Sequence, residues 1–344
     1  MPAELLMVGT RAHYGVAGCM CDELRERGQE VGFLELYPNW SKSTVHRVLA
    51  RLLPGVTPQV IRANRHIARA IADDAVRFVI VTNGRELHPA AISEARQSLE
   101  RRGGGIACFL CDDPFNPVHR CESWLQALAE YTLVVSTKRQ VIPDLVAAGC
   151  RRVQYARFGY HPPIHRPVNP KALGFLKCDI GFAGNADADR LPILRGLAEG
   201  TSDLSFNLYG HGWSADPVLR AITQPQVVGL HYSAAMLAAT VCPCLVRRAN
   251  RDGHVMRSIE LPAVGAFMLA ERTEEHQEMF DEGVHCDYWG SVEELIDKSR
   301  WYSSNPRHAA YIAHAGHAHV VAAPNTYADR ALEVVQMLRS MTTH

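Results

Sequence analysis

A single rhythm constrains what this chain can become. Short apolar runs rich in β-branched residues alternate with longer stretches of helical spacing, and one proline-dense segment, His161–Pro170 (HPPIHRPVNP), interrupts them. Such runs, with no polar face, suit parallel strands whose crossover helices cover both sides of the sheet. Before the interruption, strands are expected at Glu4–Val8, Val31–Leu36, Phe78–Val81, Ile106–Leu110 and Leu133–Ser136. Helices are expected at Cys19–Arg27, over most of 41–75, at Pro89–Arg102 and at Ile142–Ala148. After it, strands at Asp179–Phe182, Phe206–Tyr209, Cys242–Val246 and Phe267–Ala270 alternate with helices at Arg190–Leu197, Ser233–Ala239 and Glu260–Val264. Helices at Val292–Tyr302, Arg307–Val321 and Tyr327–Met341 complete the chain. Four prolines in ten residues make a stiff connection. The expected fold is therefore α/β: two Rossmann-like doubly wound domains, residues 1–165 and 166–326, with a closing helix at 327–344. Two such domains about a stiff joint are expected to face a central cleft, the usual place for a ligand.

The 344 residues are 47% apolar, enough for two cores. The 36 basic and 36 acidic residues leave a formal net charge of zero, which argues against a nucleic-acid partner or a broad membrane footprint. No apolar run approaches the roughly 20 residues of a transmembrane segment. The opening residues, MPAELLMVG, are too short and too acidic for a signal peptide. Ten cysteines then read as free thiols, and the expected location is cytoplasmic.

Cofactor signals are weak. Gly15 and Gly18 after the first strand lack dinucleotide spacing. Cys108, Cys111, His119 and Cys121 have the residue types of a zinc site. However, Cys108 falls in a buried strand, where side chains three apart point to opposite faces. Cys242 and Cys244 share one strand face and read as core. His314, His317 and His319 lie along one helix with no carboxylate partner, and packing is the expectation. No metal or cofactor is expected.

Chemistry concentrates in Asn250–Ala270, NRDGHVMRSIELPAVGAFMLA. Asp252 and Glu260 have seven residues between them, with Arg257 in the gap. Pro262 is expected in the first turn of a helix beginning at Glu260, where its missing N–H is tolerated. A helix N-terminus beside Arg257, with Arg247 and Arg248 upstream, is a ready anion site. Gly184-Asn185 and Gly210-His211-Gly212 follow strands at their C-terminal ends, which face the ligand crevice in parallel sheets. Asp112-Asp113-Pro114 ends a strand of the first half in the same way, and His13 lies in the first loop.

These segments resemble the GT-B glycosyltransferases, in particular the CgeB-like branch of the group 1, retaining type. The resemblance is carried by Asp179–Asn185 (DIGFAGN), Leu208–Trp213 (LYGHGW), Arg247–Phe267, Glu293–Leu295 and Asn325–Arg330 (NTYADR). It is looser at Asp112–Pro114 and Phe158–His161. It implies transfer of a sugar from a nucleotide-sugar donor, with retention of configuration, to an acceptor that stays open: a glycan, a protein or a small molecule. It also implies donor binding by the C-terminal domain, acceptor binding by the N-terminal domain, and a return of the last helix to the N-terminal half. Enzymes it resembles carry two glutamates with seven residues between them, the first near the donor sugar and the second on the donor ribose. Glu260 stands at the second position, and Asp252, one methylene shorter, at the first. The candidate catalytic residues are Asp252, Arg257, Asp113 and His13. The candidate donor-binding residues are Gly184, Asn185, Gly210, His211, Gly212, Arg248, His254, Ser258 and Glu260. The nucleotide sugar is a co-substrate and no metal is required. Two other readings stay open: a nucleotide-sugar epimerase of the same fold, and a non-catalytic nucleotide-sugar-binding protein.

Overall fold

The computed structural model of the chain describes residues 3–11, 15–36, 58–118 and 120–342. Contacts divide the chain into two compact units, Met1–Arg157 with Tyr327–His344, and Phe158–Thr326. Of the expected elements, the first part of the helical stretch at 41–75 lies outside the described residues, as does His13.

In the first unit, strands β1 (Leu5–Gly9), β2 (Val31–Glu35), β3 (Phe78–Thr82), β4 (Gly105–Leu110), β5 (Leu133–Ser136) and β6 (Val153–Tyr155) form one parallel sheet in the order β2-β1-β3-β4-β5-β6. The register sets Leu5 opposite both Val31 and Phe78. Every residue of β1, β4 and β5 is buried, as parallel strands covered on both faces must be. The covering helices are α1 (Val16–Glu26), α2 (Pro58–Ile71), α3 (Pro89–Glu100), α4 (Glu122–Leu128) and α5 (Ile142–Ala147).

The second unit repeats the plan. Its strands are β7 (Cys178–Ala183), β8 (Phe206–Tyr209), β9 (Thr223–Gln224), β10 (Ala239–Cys244), β11 (Met268–Glu271) and β12 (Asp287–Trp289), ordered β12-β11-β10-β7-β8-β9. Its helices are α6 (Arg190–Gly200), α7 (Pro217–Ile222), α8 (Leu230–Ala238), α9 (Arg257–Val264), α10 (Glu274–Met279), α11 (Val292–Ser304) and α12 (Pro306–Ala322). Ile180, Phe182, Leu208, Trp213, Val241 and Leu269 fill the core on one side of this sheet. Cys242, Cys244, Ile259, Leu261 and Met268 fill it on the other, so the two cysteines are core residues. The chain winds outward from β7 to β9, then returns to β10 on the opposite side of β7. The loops after β7 and β10 therefore part at the strand ends and leave a crevice, the place where such sheets bind ligands.

The last helix, α13 (Tyr327–Thr342), packs in the first unit. Glu23 Oε2 accepts the Ala328 N–H at 2.8 Å, Arg27 pairs with Asp329 at 2.8 Å, and Ala331, Val334 and Leu338 are buried. The units divide at Arg157/Phe158, eight residues before the boundary expected at 165/166. The proline-dense stretch is a packed part of the second unit: the Tyr160 N–H donates to the Asn325 carbonyl at 3.0 Å and Ser233 Oγ donates to the Ile164 carbonyl. None of the described helices is long and apolar enough to cross a membrane.

Candidate functional site

The crevice of the second unit is lined first by two glycine turns that lock together. After β7, the Gly184 N–H donates to the Tyr209 carbonyl at 2.9 Å, and the Gly184 carbonyl accepts the Trp213 indole N–H at 3.0 Å. Gly210 follows β8 with φ 138, where L side chains are strained, and a Cβ there would overlap the Gly184 carbonyl. Asn185 Oδ1 accepts the His211 N–H at 3.0 Å, and His211 Nε2–H donates to Gln226 Oε1 at 2.9 Å. Gly212, with φ 88, starts the short 3₁₀ turn that places Trp213. Gly184, Asn185, Gly210, His211 and Gly212 therefore stand together, as one built rim.

Arginines occupy the floor. The sequence reading begins a helix at Glu260 and puts Pro262 in its first turn. That is corrected: α9 begins at Arg257, and Pro262 lies inside the helix. A proline there leaves the Ser258 carbonyl without its helical donor. The short helix ends directly after, on Gly265 at φ 87, whose N–H donates to the Pro262 carbonyl at 2.9 Å. The helix thus opens on Arg257, and Glu260 sits one turn in. Arg257 Nη1 donates to the Ala183 carbonyl at 3.0 Å, and its guanidinium lies 4.9 Å from the centre of the Phe182 ring. Arg190, at the start of α6, stands 5.9 Å from the same ring and donates to the Asn185 carbonyl at 3.0 Å. A Cβ at Gly184 would press on Arg257 Nη1, so the glycine leaves room for the guanidinium.

Not every donor in this floor has an acceptor. Arg190 pairs with Asp187 at 3.2 Å, yet burial, followed by the nearby Arg257 charge, pulls it down to about 9. Nε and Nη2 of Arg257 and Nε of Arg190 are buried without an acceptor. Buried donors lacking acceptors are costly. An anion bringing several oxygens to this floor would relieve that cost.

The loop after β10 is tied to the start of α6, where Asp189 accepts the Ala249 N–H at 3.0 Å. Asp252 lies inside this loop, its carboxylate bound to Arg247 and Asn250. Arg248 is on its outside, with a side chain 77% exposed that reaches Glu271 at 3.3 Å. His254 and Ser258 lie beneath it, both fully buried. His254 Nε2 accepts the Phe158 N–H at 3.1 Å and its Nδ1–H donates to Glu275 at 2.6 Å. Ser258 Oγ–H donates to His276 Nε2 at 2.7 Å, and His276 Nδ1–H donates to the Glu271 carbonyl at 2.6 Å. Burial pushes His276 down to about 4. These two candidate donor ligands are the supports of the loop, engaged through the polar atoms a ligand would use.

Glu260 is buried with His165 and Tyr232. Burial drives its carboxyl up to about 7, with the Arg257 charge and the Tyr232 hydroxyl opposing the rise. His165 Nδ1 accepts the His161 N–H at 2.9 Å, which leaves the proton on Nε2, 3.7 Å from Glu260 Oε1. Burial holds His165 down at about 3.

In the first unit, Asp112 and Asp113 stand just past β4, at the C-terminal end of that sheet. Asp112 Oδ2 accepts from Asn83 Nδ2 at 3.1 Å, and Asp113 Oδ1 accepts the Phe115 N–H at 2.9 Å, closing a turn. Asp113 is buried in this role. Sequence reasoning passed over Arg190, Phe182, His165 and Tyr232. Arg190 carried a usable signal: Asp187, three residues earlier, accepts its N–H at 2.8 Å, a capping pair placed directly after a glycine turn. His317 and His319 face the Pro262 and Met279 carbonyls at 3.0 Å each, in packing roles.

Residues 190–336 match the family described as glycosyl transferase-like. None of the curated proteins matches the sequence. Among solved structures, the chain is similar to sucrose-phosphate synthase from Thermosynechococcus elongatus, with 14% identity, TM-score 0.65, and 99% of each chain covered. It is also similar to HepE from Anabaena in complex with UDP-glucose, with 12% identity, TM-score 0.65, and 98% of this chain and 99% of that one covered. A third likeness is to a protein described as a UDP-N-acetylglucosamine 2-epimerase from Listeria monocytogenes, with 13% identity, TM-score 0.53, and 96% and 95% covered. The fold is accordingly GT-B: two Rossmann-like units, each on a six-stranded parallel sheet.

Proposed function

We propose that this chain is a glycosyltransferase that takes a sugar from a nucleotide-sugar donor with retention of configuration. The observation that carries the reading is the pair Arg257 and Arg190, half-buried and buried, in which Nε and Nη2 of Arg257 and Nε of Arg190 are enclosed without acceptors beside the strand ends of the second unit. Such a floor fits a diphosphate. Its oxygens would satisfy the orphan N–H groups, and the arginines would stabilise the charge that builds on the leaving diphosphate as the sugar departs. Arginine supplies this charge, so the reaction needs no divalent cation. Glu260, one helical turn beyond Arg257, accepts from the ribose hydroxyls of the donor. The fold's likeness to a protein crystallised with UDP-glucose supports a nucleotide sugar as the ligand. The match of residues 190–336 to a glycosyl transferase-like family supports transfer as the reaction.

Retention follows from the resemblance of the Asp252–Glu260 segment and from the lack of a presented nucleophile there. The Asp252 carboxylate is enclosed in its loop, so the departing phosphate is left as the base for the acceptor hydroxyl on the same face. The acceptor is bound by the first unit, where Asp113 closes the turn at the end of the sheet. The reaction is cytoplasmic.

The test is incubation with a panel of nucleotide sugars and candidate acceptors in EDTA, with the anomeric proton of the product followed by NMR. An axial sugar moved from an axial donor linkage is the expected product, and Arg257→Ala should slow its formation at least about tenfold. An inverted product would overturn retention, and dependence on added divalent metal would overturn the arginine mechanism. Release of an epimerised nucleotide sugar without any acceptor would replace transfer by epimerisation.

A further inference from the structure

The proline-dense segment enters the second unit as a closed turn. The His165 N–H donates to the His161 carbonyl at 2.8 Å, and the His161 N–H donates to His165 Nδ1 at 2.9 Å. The Ile164 N–H reaches the same His161 carbonyl at 3.0 Å, and Ser233 Oγ, from α8, donates to the Ile164 carbonyl. The imidazole is thus folded back on its own turn with its tautomer fixed: Nδ1 accepts, so the proton is on Nε2. The Tyr232 ring packs edge-on against it, with 5.7 Å between centroids. Held in this way, Nε2 faces Glu260 Oε1 at 3.7 Å.

That separation is longer than a hydrogen bond, and its strength depends on the charge of Glu260. The side chains of Glu260 and His165 are 11% and 8% exposed, so water does little for a carboxylate there. The groups that face it are Arg257 on its own helix, Tyr232 on α8 and His165 on the proline segment. Arg257 is already tied to the Ala183 carbonyl. His165 is kept uncharged by burial, so it offers Glu260 direction and not charge. An N–H aimed at a buried carboxylate makes a charge-assisted bond once the carboxylate ionises, and such contacts tighten when a ligand engages the site.

We propose that His165 is a positioning residue for the donor: its Nε2–H orients the Glu260 carboxylate that receives the ribose hydroxyls, and so makes the site select a nucleotide that carries those hydroxyls. The inference rests on the reading of Glu260 as the ribose acceptor given above. It has a readout that packing alone would not move. Lost packing weakens every nucleotide equally. Loss of the aimed N–H weakens a nucleotide only where its ribose hydroxyls meet Glu260, and it raises the pH at which that binding is half lost. Near neutral pH His165 stays neutral, the Tyr232 phenol, raised by burial, stays protonated, and Arg257 stays charged. The midpoint therefore reports Glu260.

The experiment is calorimetric titration of the full chain with UDP, ADP, GDP and CDP, and then with the 2′,3′-dideoxy form of the tightest, from about pH 6 to about pH 9. The wild type should bind the ribonucleotide at least about tenfold more tightly than the dideoxy form. His165→Leu should lose about tenfold for the ribonucleotide, leave the dideoxy form unchanged, and move the pH midpoint of ribonucleotide binding upward. His165→Gln, whose amide nitrogen stands near the place of Nε2, should recover most of the loss. His165→Asn, whose amide stops short of Glu260, should behave as His165→Leu does and replaces it if the leucine variant fails to fold; thermal melts check each protein. Unchanged binding, equal losses for both nucleotides, an unmoved midpoint, or no recovery in His165→Gln would overturn the inference and leave Glu260 as the ribose acceptor. A wild type that does not distinguish the two nucleotides would overturn the reading of Glu260 and this inference with it. Failure of all four nucleotides to bind would overturn the donor site itself.

Discussion

Glu260 sits in surroundings that oppose its charge. Burial lifts its carboxyl from 4.5 to about 7, and the neighbouring ring of His165 is itself held uncharged by burial. The folded chain therefore holds this proton more tightly than the unfolded chain. The stability that the proton contributes is complete below about pH 4.5 and is lost as pH rises through 7. Glu260→Gln should then raise the melting temperature over wild type at pH 8, with the gain shrinking toward pH 5. The same substitution should harm function. Ribose hydroxyls donate to the ionised carboxylate, so donor binding releases a proton, and wild-type affinity should fall as pH drops from about 8 to about 6. Titration in buffers of different ionisation heats reads that proton. Parallel pH profiles for wild type and Glu260→Gln would remove Glu260 from the donor site. The sequence pointed to Glu260 through its spacing from Asp252. It was silent on His165 and Tyr232, which come from a proline segment and from helix α8. Their approach to Glu260 is a product of packing, and no local spacing encodes it.

At the scale of elements, the sequence was most legible where strands are fully buried. Gly105–Leu110 and Leu133–Ser136 are buried along their whole length because both faces are covered, and their apolar runs stand out. The strands that escaped notice, β6, β9 and β12, all lie at sheet edges and are only two or three residues long. An edge strand pairs on one side only, and two or three residues cannot display a period. The helices α4, α7 and α10 escaped for a similar reason, since six or seven residues fall short of two full turns. The start of α9 was misplaced because a proline was assumed to belong in the first turn. The glycine turns were legible as turns, and the structure adds what they are for. At Gly210 the φ of 138 and the Gly184 carbonyl both exclude a side chain. Gly210→Ala should therefore cost more than about 1 kcal/mol in urea unfolding, from backbone strain and the forced parting of the two turns. Because Gly184 makes room for Arg257, the parting should also weaken pyrophosphate binding. Wild-type stability in this variant would show that the two turns do not depend on their lock.

At the scale of the whole chain, a net charge of zero concealed a local cluster: Arg190, Arg247 and Arg257 share one neighbourhood, with Asp187 and Asp252 paired to two of them. Charge summed over a sequence limits broad surfaces and says little about a floor a few residues wide. The chain also passes between its units twice, at Arg157/Phe158 and at Thr326/Tyr327, so the first unit is assembled from both ends of the sequence. Helix α13 completes it. Leu338 is fully buried, and a Cβ at Gly105, where β4 begins, would lie only 3.2 Å from its Cδ2. Leu338→Ala should leave a cavity and cost about 2–5 kcal/mol. That loss belongs to the first unit, whereas a nucleotide ligand acts on the second, adding about 2.7 kcal/mol at a concentration one hundred times its Kd. Segment-resolved hydrogen exchange separates the two effects. Leu338→Ala should speed exchange in β1, β3 and β4 and leave β7, β10 and β11 as they were; ligand should slow exchange in β7, β10 and α9 and leave the first unit's strands alone. Each unit has its own core, so each perturbation should stop at the unit it enters. Equal changes in both sheets from either perturbation would mean that the two units unfold as one, and that the ligand's binding energy is shared across the whole chain.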